Sequence, residues 1–224
     1  STLFPYTTLF RSRVQDIIGE APRVHGLVAK SDADGHIDDI MLRVGLDPSF
    51  KRRYPHQFSG GQRQRIGIAR ALAVHPDFIV CDEAVAALDV SIQAQVLNLF
   101  MDLRKDLELT YLFISHDIGV VEHLADRVAI MYLGRIVELA PTEALFDNPN
   151  HPYTRALLHE VPRLNMRRRK FQPIKGEIPS PLNPPTGCHF HPRCPFALQR
   201  CPEEQPVMKE IAPQWRSACH LNDE

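Results

Sequence analysis

The chain has 224 residues, 44% hydrophobic and 24% charged, with 26 basic side chains against 27 acidic ones for a formal net charge of −1. That length suits one large domain or two small ones, and the composition is that of an ordinary globular protein. The balanced charge gives no overall attraction to nucleic acid or anionic lipid; no apolar run approaches the roughly 18 residues needed to cross a bilayer, and no secretory-signal pattern opens the chain.

Residues 2–12, TLFPYTTLFRS, resemble the translation of a common short-read sequencing adapter in every codon. They are set aside as non-native, and native sequence is expected to enter near Arg13. From 14 to 46, Val14, Ile17, Ile18 and then Ile37, Ile40, Met41 and Val44 recur at spacings of three and four. This predicts helices broken at Asp34-Gly35 and ended by Gly45 and Asp47-Pro48. Ser59 precedes the next helix as an N-cap, with Gln62 completing a capping box. That helix is expected to run to about Val74, where His75-Pro76 stops it.

The short apolar run 78–81 predicts a parallel strand buried on both faces. Residues 91–109 carry Ile92, Val96, Leu99, Phe100, Leu103 and Leu107 on one helical face. A second apolar strand, 111–114, leads into Ser115-His116-Asp117 and a short helix to about Ala125. Residues 128–133 and 135–139 read as a hairpin through Gly134. Short helical patterns follow at 143–146 and 153–160. The basic run 167–170 reads as a solvated linker, and the proline-rich stretch 173–185 as extended chain. Strand, helix, strand, helix in this order implies an α/β fold with a largely parallel sheet.

Two places carry chemistry. A helix N-terminus gathers unpaired N–H groups and partial positive charge, so it favours anions. Here Ser59 adds a hydroxyl, Gly60 and Gly61 let a phosphate approach the backbone, and Gln62 lies in the same turn. Asp82 and Glu83 end a buried strand, where paired carboxylates are costly unless a cation or water meets them.

The string FSGGQRQRIGIARAL from Phe58 to Leu72 resembles the signature motif of ABC-type ATPases. FIVCDE, from Phe78 to Glu83, resembles their Walker B strand. Ala86-Ala87-Leu88-Asp89 resembles the D-loop, with Ala86 where serine is usual. The resemblance implies that Ser59, Gly60, Gly61 and Gln62 contact nucleotide held by a partner subunit. Asp82 would help to hold Mg²⁺ through water, and Glu83 would polarise the attacking water. Asp89 would lie at the subunit contact, and His116 would be the switch histidine that meets the γ-phosphate. Phosphoryl transfer needs this positioning and charge neutralisation more than covalent catalysis.

None of the 11 glycines is followed by lysine, so a Walker A loop, G-x-x-x-x-G-K-[ST], is not among these residues. The Q-loop glutamine is likewise missing. Both are expected upstream of Arg13. The expected fold is thus a P-loop NTPase (ABC ATPase) fold lacking its N-terminal strands, with exposed apolar sheet faces as an aggregation hazard. It would carry a helical subdomain at 13–75, the C-terminal half of the ATPase core at 76–140 and a cysteine-containing extension at 141–224.

Four of the five cysteines lie in the tail: Cys188, Cys194, Cys201 and Cys219. Cys81 reads as a small buried hydrophobe. The tail spacing does not follow the C-x2-C zinc pattern; Zn²⁺, an iron–sulfur cluster and free thiols all stay open. The string GCHFHPRCP, with GRIVE and HPYT upstream, resembles the C-terminal region of ATPase subunits from oligopeptide and dipeptide importers. Some of these carry a [4Fe–4S] cluster there. The resemblance implies an ATP- and Mg²⁺-dependent subunit at the cytoplasmic face of the membrane. Its partners would be a second ATPase subunit, two transmembrane permeases and an extracytoplasmic substrate-binding protein, with no nucleic acid. Nickel import by the same subfamily, a soluble non-transport ABC ATPase and a non-catalytic metal-binding module are the rival readings.

Overall fold

The structure is a computed structural model that describes residues 11–159 and 176–223. Most of the adapter-like segment, the basic run 167–170 and Pro173 of the extended stretch lie outside the described residues. The chain divides into two compact units, one ending at His116 and the other beginning at Asp117.

In the first unit, helices α1 (Val14–Val24), α2 (Ala33–Arg43) and α3 (Gly60–Leu72) pack pairwise. They bury Val14, Ile18, Met41 and Ile66 almost completely. Asp34-Gly35 does not break a helix. It sits in the first turn of α2, where an acid meets the helix dipole favourably, and the break falls earlier, at Gly26 to Asp32. Lys51 fastens this turn, donating to Asp34 at 2.7 Å and Asp38 at 2.9 Å.

Strands β1 (Phe78–Asp82) and β2 (Thr110–Ile114) pair in parallel, from Phe78 opposite Thr110 to Asp82 opposite Ile114. The intervening helix α4 (Val90–Leu107) buries Val96, Phe100 and Leu103. The Phe100 ring meets Tyr111 and Phe113 edge-on, with centroids 5.4 and 5.8 Å away. Cys81 is buried, as expected. Burial on both faces is not: alternate side chains point opposite ways, and Phe78, Val80, Leu112 and Ile114 are 45–53% exposed.

The second unit opens with α5 (Ile118–Leu124) and the hairpin of β3 (Arg127–Tyr132) and β4 (Arg135–Pro141). Leu133 and Gly134 turn it, both at positive φ. Helices α6 (Thr142–Asp147) and α7 (Pro152–His159) follow, then tail strands β5 (Lys209–Ala212) and β6 (Trp215–Ser217). The sheet runs β3-β4-β6-β5 and is antiparallel throughout. A largely parallel sheet is therefore corrected: among the described residues only β1 and β2 are parallel. The core gathers Val128, Ile130, Tyr132, Leu145, Leu158 and Phe190. No helix among the described residues is long and apolar enough to cross a membrane.

Candidate active site

All eight residues expected at the nucleotide lie in the first unit. Two structural devices set them out. The first is the parallel pair. The Glu83 N–H donates to the Ile114 carbonyl at 2.9 Å, carrying the β1–β2 ladder one step past Asp82. Glu83 then turns away with φ of 48°, a left-handed conformation that a side-chain-bearing residue adopts only against steric resistance. The result brings its carboxylate beside the residue two beyond Ile114. Glu83 Oε1 and His116 Nδ1 are 3.2 Å apart, a hydrogen bond when the Nδ1–H tautomer is present. Both side chains are well exposed, at 60% and 71%, so the pair faces solvent at the carboxyl ends of adjacent strands. That is where α/β sheets place ligands.

The second device is a pair of capped helix N-termini. Ser59 Oγ accepts from the Gln62 N–H at 3.3 Å while Gln62 Oε1 accepts from the Ser59 N–H at 3.1 Å. This capping box leaves the amides of Gly60 and Gly61 without partners inside the helix. Asp89 does the same for α4, its Oδ1 accepting from the Ile92 N–H at 3.0 Å. This capping role escaped the sequence reading, although an aspartate just before an amphipathic helix is its usual signal. Gly60 is exposed, with Leu88 Cδ2 the nearest group to where a Cβ would stand, at 3.8 Å. Gly61 is buried, and a Cβ there would come within 2.4 Å of Ile92 Cγ2.

Asp82 and Glu83 supply adjacent carboxylates, the hard oxygen donors that Mg²⁺ takes. Among the described residues no set of three or more His, Cys, Asp or Glu side chains is placed to hold a metal. Two adjacent carboxylates alone do not make a complete Mg²⁺ shell, so any ion held there would also need oxygen donors from outside the chain.

The tail cysteines do not fit the expected metal or iron–sulfur site. Cys188, Cys194, Cys201 and Cys219 all occur as free thiols, and Cys219 senses the other three electrostatically. Yet no three of them form a ligand set. Burial raises the thiols of Cys188 and Cys194, and that of Cys219 to about 11. One backbone requirement in this region is plain. Gly187 lies at φ of 62°, and a Cβ on it would strike the Cys201 carbonyl oxygen at 2.3 Å.

A buried polar cluster in the second unit went unforeseen. Glu138 is fully buried and accepts three hydrogen bonds of 2.9 Å, from the Asn150 N–H, the His151 N–H and Trp215 Nε1–H. His151 Nδ1 in turn accepts from the Tyr153 N–H at 3.1 Å. Burial, then Arg155, pushes the His151 imidazole down to about 4. GRIVE and HPYT, marked in the sequence only by resemblance, are thus the two sides of one network.

Comparison with known proteins fits this geometry. The ABC transporter family matches residues 1–86, and the oligopeptide/dipeptide transporter C-terminal region matches residues 137–201. The oligopeptide transport ATP-binding protein AppF of Bacillus subtilis (strain 168) is 53% identical over 94% of this chain and 65% of its own length. The di/tripeptide transport ATP-binding protein DppF of Pseudomonas aeruginosa (strain UCBPP-PA14) is 47% identical over 96% of this chain and 67% of its own length. The chain belongs to the oligopeptide/dipeptide transport ATP-binding proteins of the ABC transporter family. It spans about two thirds of the length of these curated relatives. The fold agrees: cbiO1 from Clostridium perfringens, part of the ABC transporter complex cbiONQ, aligns with a TM-score of 0.56 at 27% identity, over 63% of this chain and 56% of that one. The ABC transporter match takes in the signature helix α3 and β1 as far as Ala86; the C-terminal match takes in Glu138, His151 and three of the tail cysteines, Cys188, Cys194 and Cys201.

Proposed function

We propose that the full-length protein is the ATP-hydrolysing subunit of an importer for di- or oligopeptides. The observation that carries this reading is the Glu83–His116 pair, 3.2 Å apart at the ends of adjacent parallel strands. Glu83 polarises the water that attacks the γ-phosphate, and His116 orients Glu83 and meets the same phosphate. Asp82 would hold Mg²⁺, which when bound would supply neutralisation of phosphate charge. The α3 N-terminus, exposed at Gly60, closes over nucleotide held by a second ATP-binding subunit, with Asp89 at that contact. Two such subunits drive two transmembrane permeases from the cytoplasmic face, and an extracytoplasmic binding protein delivers the peptide. The names of AppF and DppF support peptides as the cargo.

The 224 residues hold no glycine–lysine pair, so they lack the phosphate cradle of a Walker A loop. On their own they neither bind ATP tightly nor hydrolyse it. The test is uptake of labelled di- and oligopeptides into proteoliposomes holding the full-length subunit, its permeases and binding protein. ATP-dependent peptide uptake supports the proposal; uptake of nickel in place of peptide overturns the cargo, and absence of ATP dependence overturns the function. ATPase activity from the isolated 224-residue chain would refute the claim about the chain alone.

A further inference from the structure

The contact between Gly61 and Ile92 joins two parts of the site that function treats separately. Gly61 is the second residue of α3, one step after the exposed Gly60. Ile92 is the third residue of α4 and is held by the Asp89 cap at 3.0 Å. A Cβ on Gly61 would meet Ile92 Cγ2 at 2.4 Å, inside any distance real atoms tolerate, and Ile92 Cβ and Cδ1 at 3.8 and 3.9 Å. The first turns of the two helices therefore touch, a methyl group of one lying on the bare Cα of the other. Ile92 suits this role. A β-branched residue in a helix keeps essentially one χ1 rotamer, so its Cγ2 cannot swing aside as a leucine or methionine tip would.

We infer that Ile92 is a positioning residue: it fixes the signature turn of α3 at a set distance from the Asp89-capped turn of α4, and Gly61 is glycine because of this contact. The inference rests on reading the α3 N-terminus as a phosphate-facing element. It assigns different work to the two glycines. Gly60 is exposed and open to a ligand, whereas Gly61 serves the packing beneath it. A chain of contacts results, from the Asp89 carboxylate to the Ile92 backbone and from the Ile92 side chain to Gly61. A shift of the Asp89 segment moves the amides of Gly60 and Gly61 with it, so α3 and α4 present their N-termini as one rigid body.

A steric cycle tests this in the full-length protein assembled with its permeases. Wild type, Gly61→Ala, Ile92→Ala, the double variant and Ile92→Val are compared for kcat and ATP KM, and for Tm without nucleotide. Gly61→Ala overpacks the contact, so kcat is expected to fall at least ~10-fold while ATP KM stays within about threefold. Ile92→Ala loosens the turn and lowers kcat only about two- to threefold. Ile92→Val keeps a γ-methyl and retains most of the wild-type kcat. The double variant returns to the level of Ile92→Ala, because the alanine at 61 then has room. A double variant as slow as Gly61→Ala would overturn the inference, since phosphate approach would then demand the glycine; so would wild-type kcat in Ile92→Ala. A wild type without ATPase activity would overturn the functional reading instead. The melting temperatures then decide the contact alone: a drop of about 5 °C in Gly61→Ala that the second substitution cancels upholds it, and additive shifts refute it.

Discussion

Glu83 adopts a positive φ that carries a cost of about 1–2 kcal/mol, and the Ile114 carbonyl and His116 imidazole hold it there. A strained acid held beside a histidine at a strand end is poorly explained by folding needs alone. His116→Ala leaves Glu83 without its side-chain partner, and ATP turnover of the full-length assembly should fall about 10- to 1,000-fold. The acid–base content of the second unit makes a separate prediction. His151 has a folded-state value of about 4 against an ordinary 6.5. Between those values the unfolded chain binds the proton that the folded chain refuses. The neutral ring's stabilisation is thus fully present above pH 6.5 and is lost as pH falls through 4, up to about 3 kcal/mol. Trp215 is the single tryptophan and bonds to Glu138, so its fluorescence reports this directly. Urea midpoints followed by that emission should drop between pH 7 and 4.5, and less in His151→Asn. Glu138→Ala, which strands three donors, should lower stability by roughly 3 kcal/mol.

At the scale of elements, cap and packing explain most of what the sequence allowed one to foresee. Ser59, Gln62 and the apolar rhythm of α3 announced its start within one residue, because a capping box is local chemistry. Ser59→Ala should cost about 1 kcal/mol by urea unfolding, and a loss near zero would mean the box is idle. Phe100 was legible as a core position from its place in the 3.6-residue rhythm, and its edge-on contacts with Tyr111 and Phe113 make Phe100→Ala a loss of about 3–5 kcal/mol. Other elements were not legible. Strands β5 and β6 span four and three residues and mix Lys209, Glu210 and Arg216 with apolar ones, so no alternating pattern marks them. They exist because β4 offers an edge to pair with, a long-range fact. The Asp34-Gly35 break failed because these breaker residues also suit a helix's first turn.

At the scale of the whole molecule, the placement of Glu83 and His116 at the ends of two strands was readable because both sit in short motifs next to apolar runs. The Glu138 network was not, since its donors come from residues 150, 151 and 215, which only the fold brings together. The tail thiols are the opposite case: Cys219 feels Cys188, Cys194 and Cys201 electrostatically, yet no metal-ligand set forms among the described residues. Under the proposed function Glu83 drives hydrolysis. The most direct measurement is steady-state ATPase of the full-length subunit assembled with its permeases, wild type against Glu83→Gln. Turnover falling at least ~100-fold, with ATP KM within about threefold, is the predicted result; turnover within twofold of wild type would contradict it.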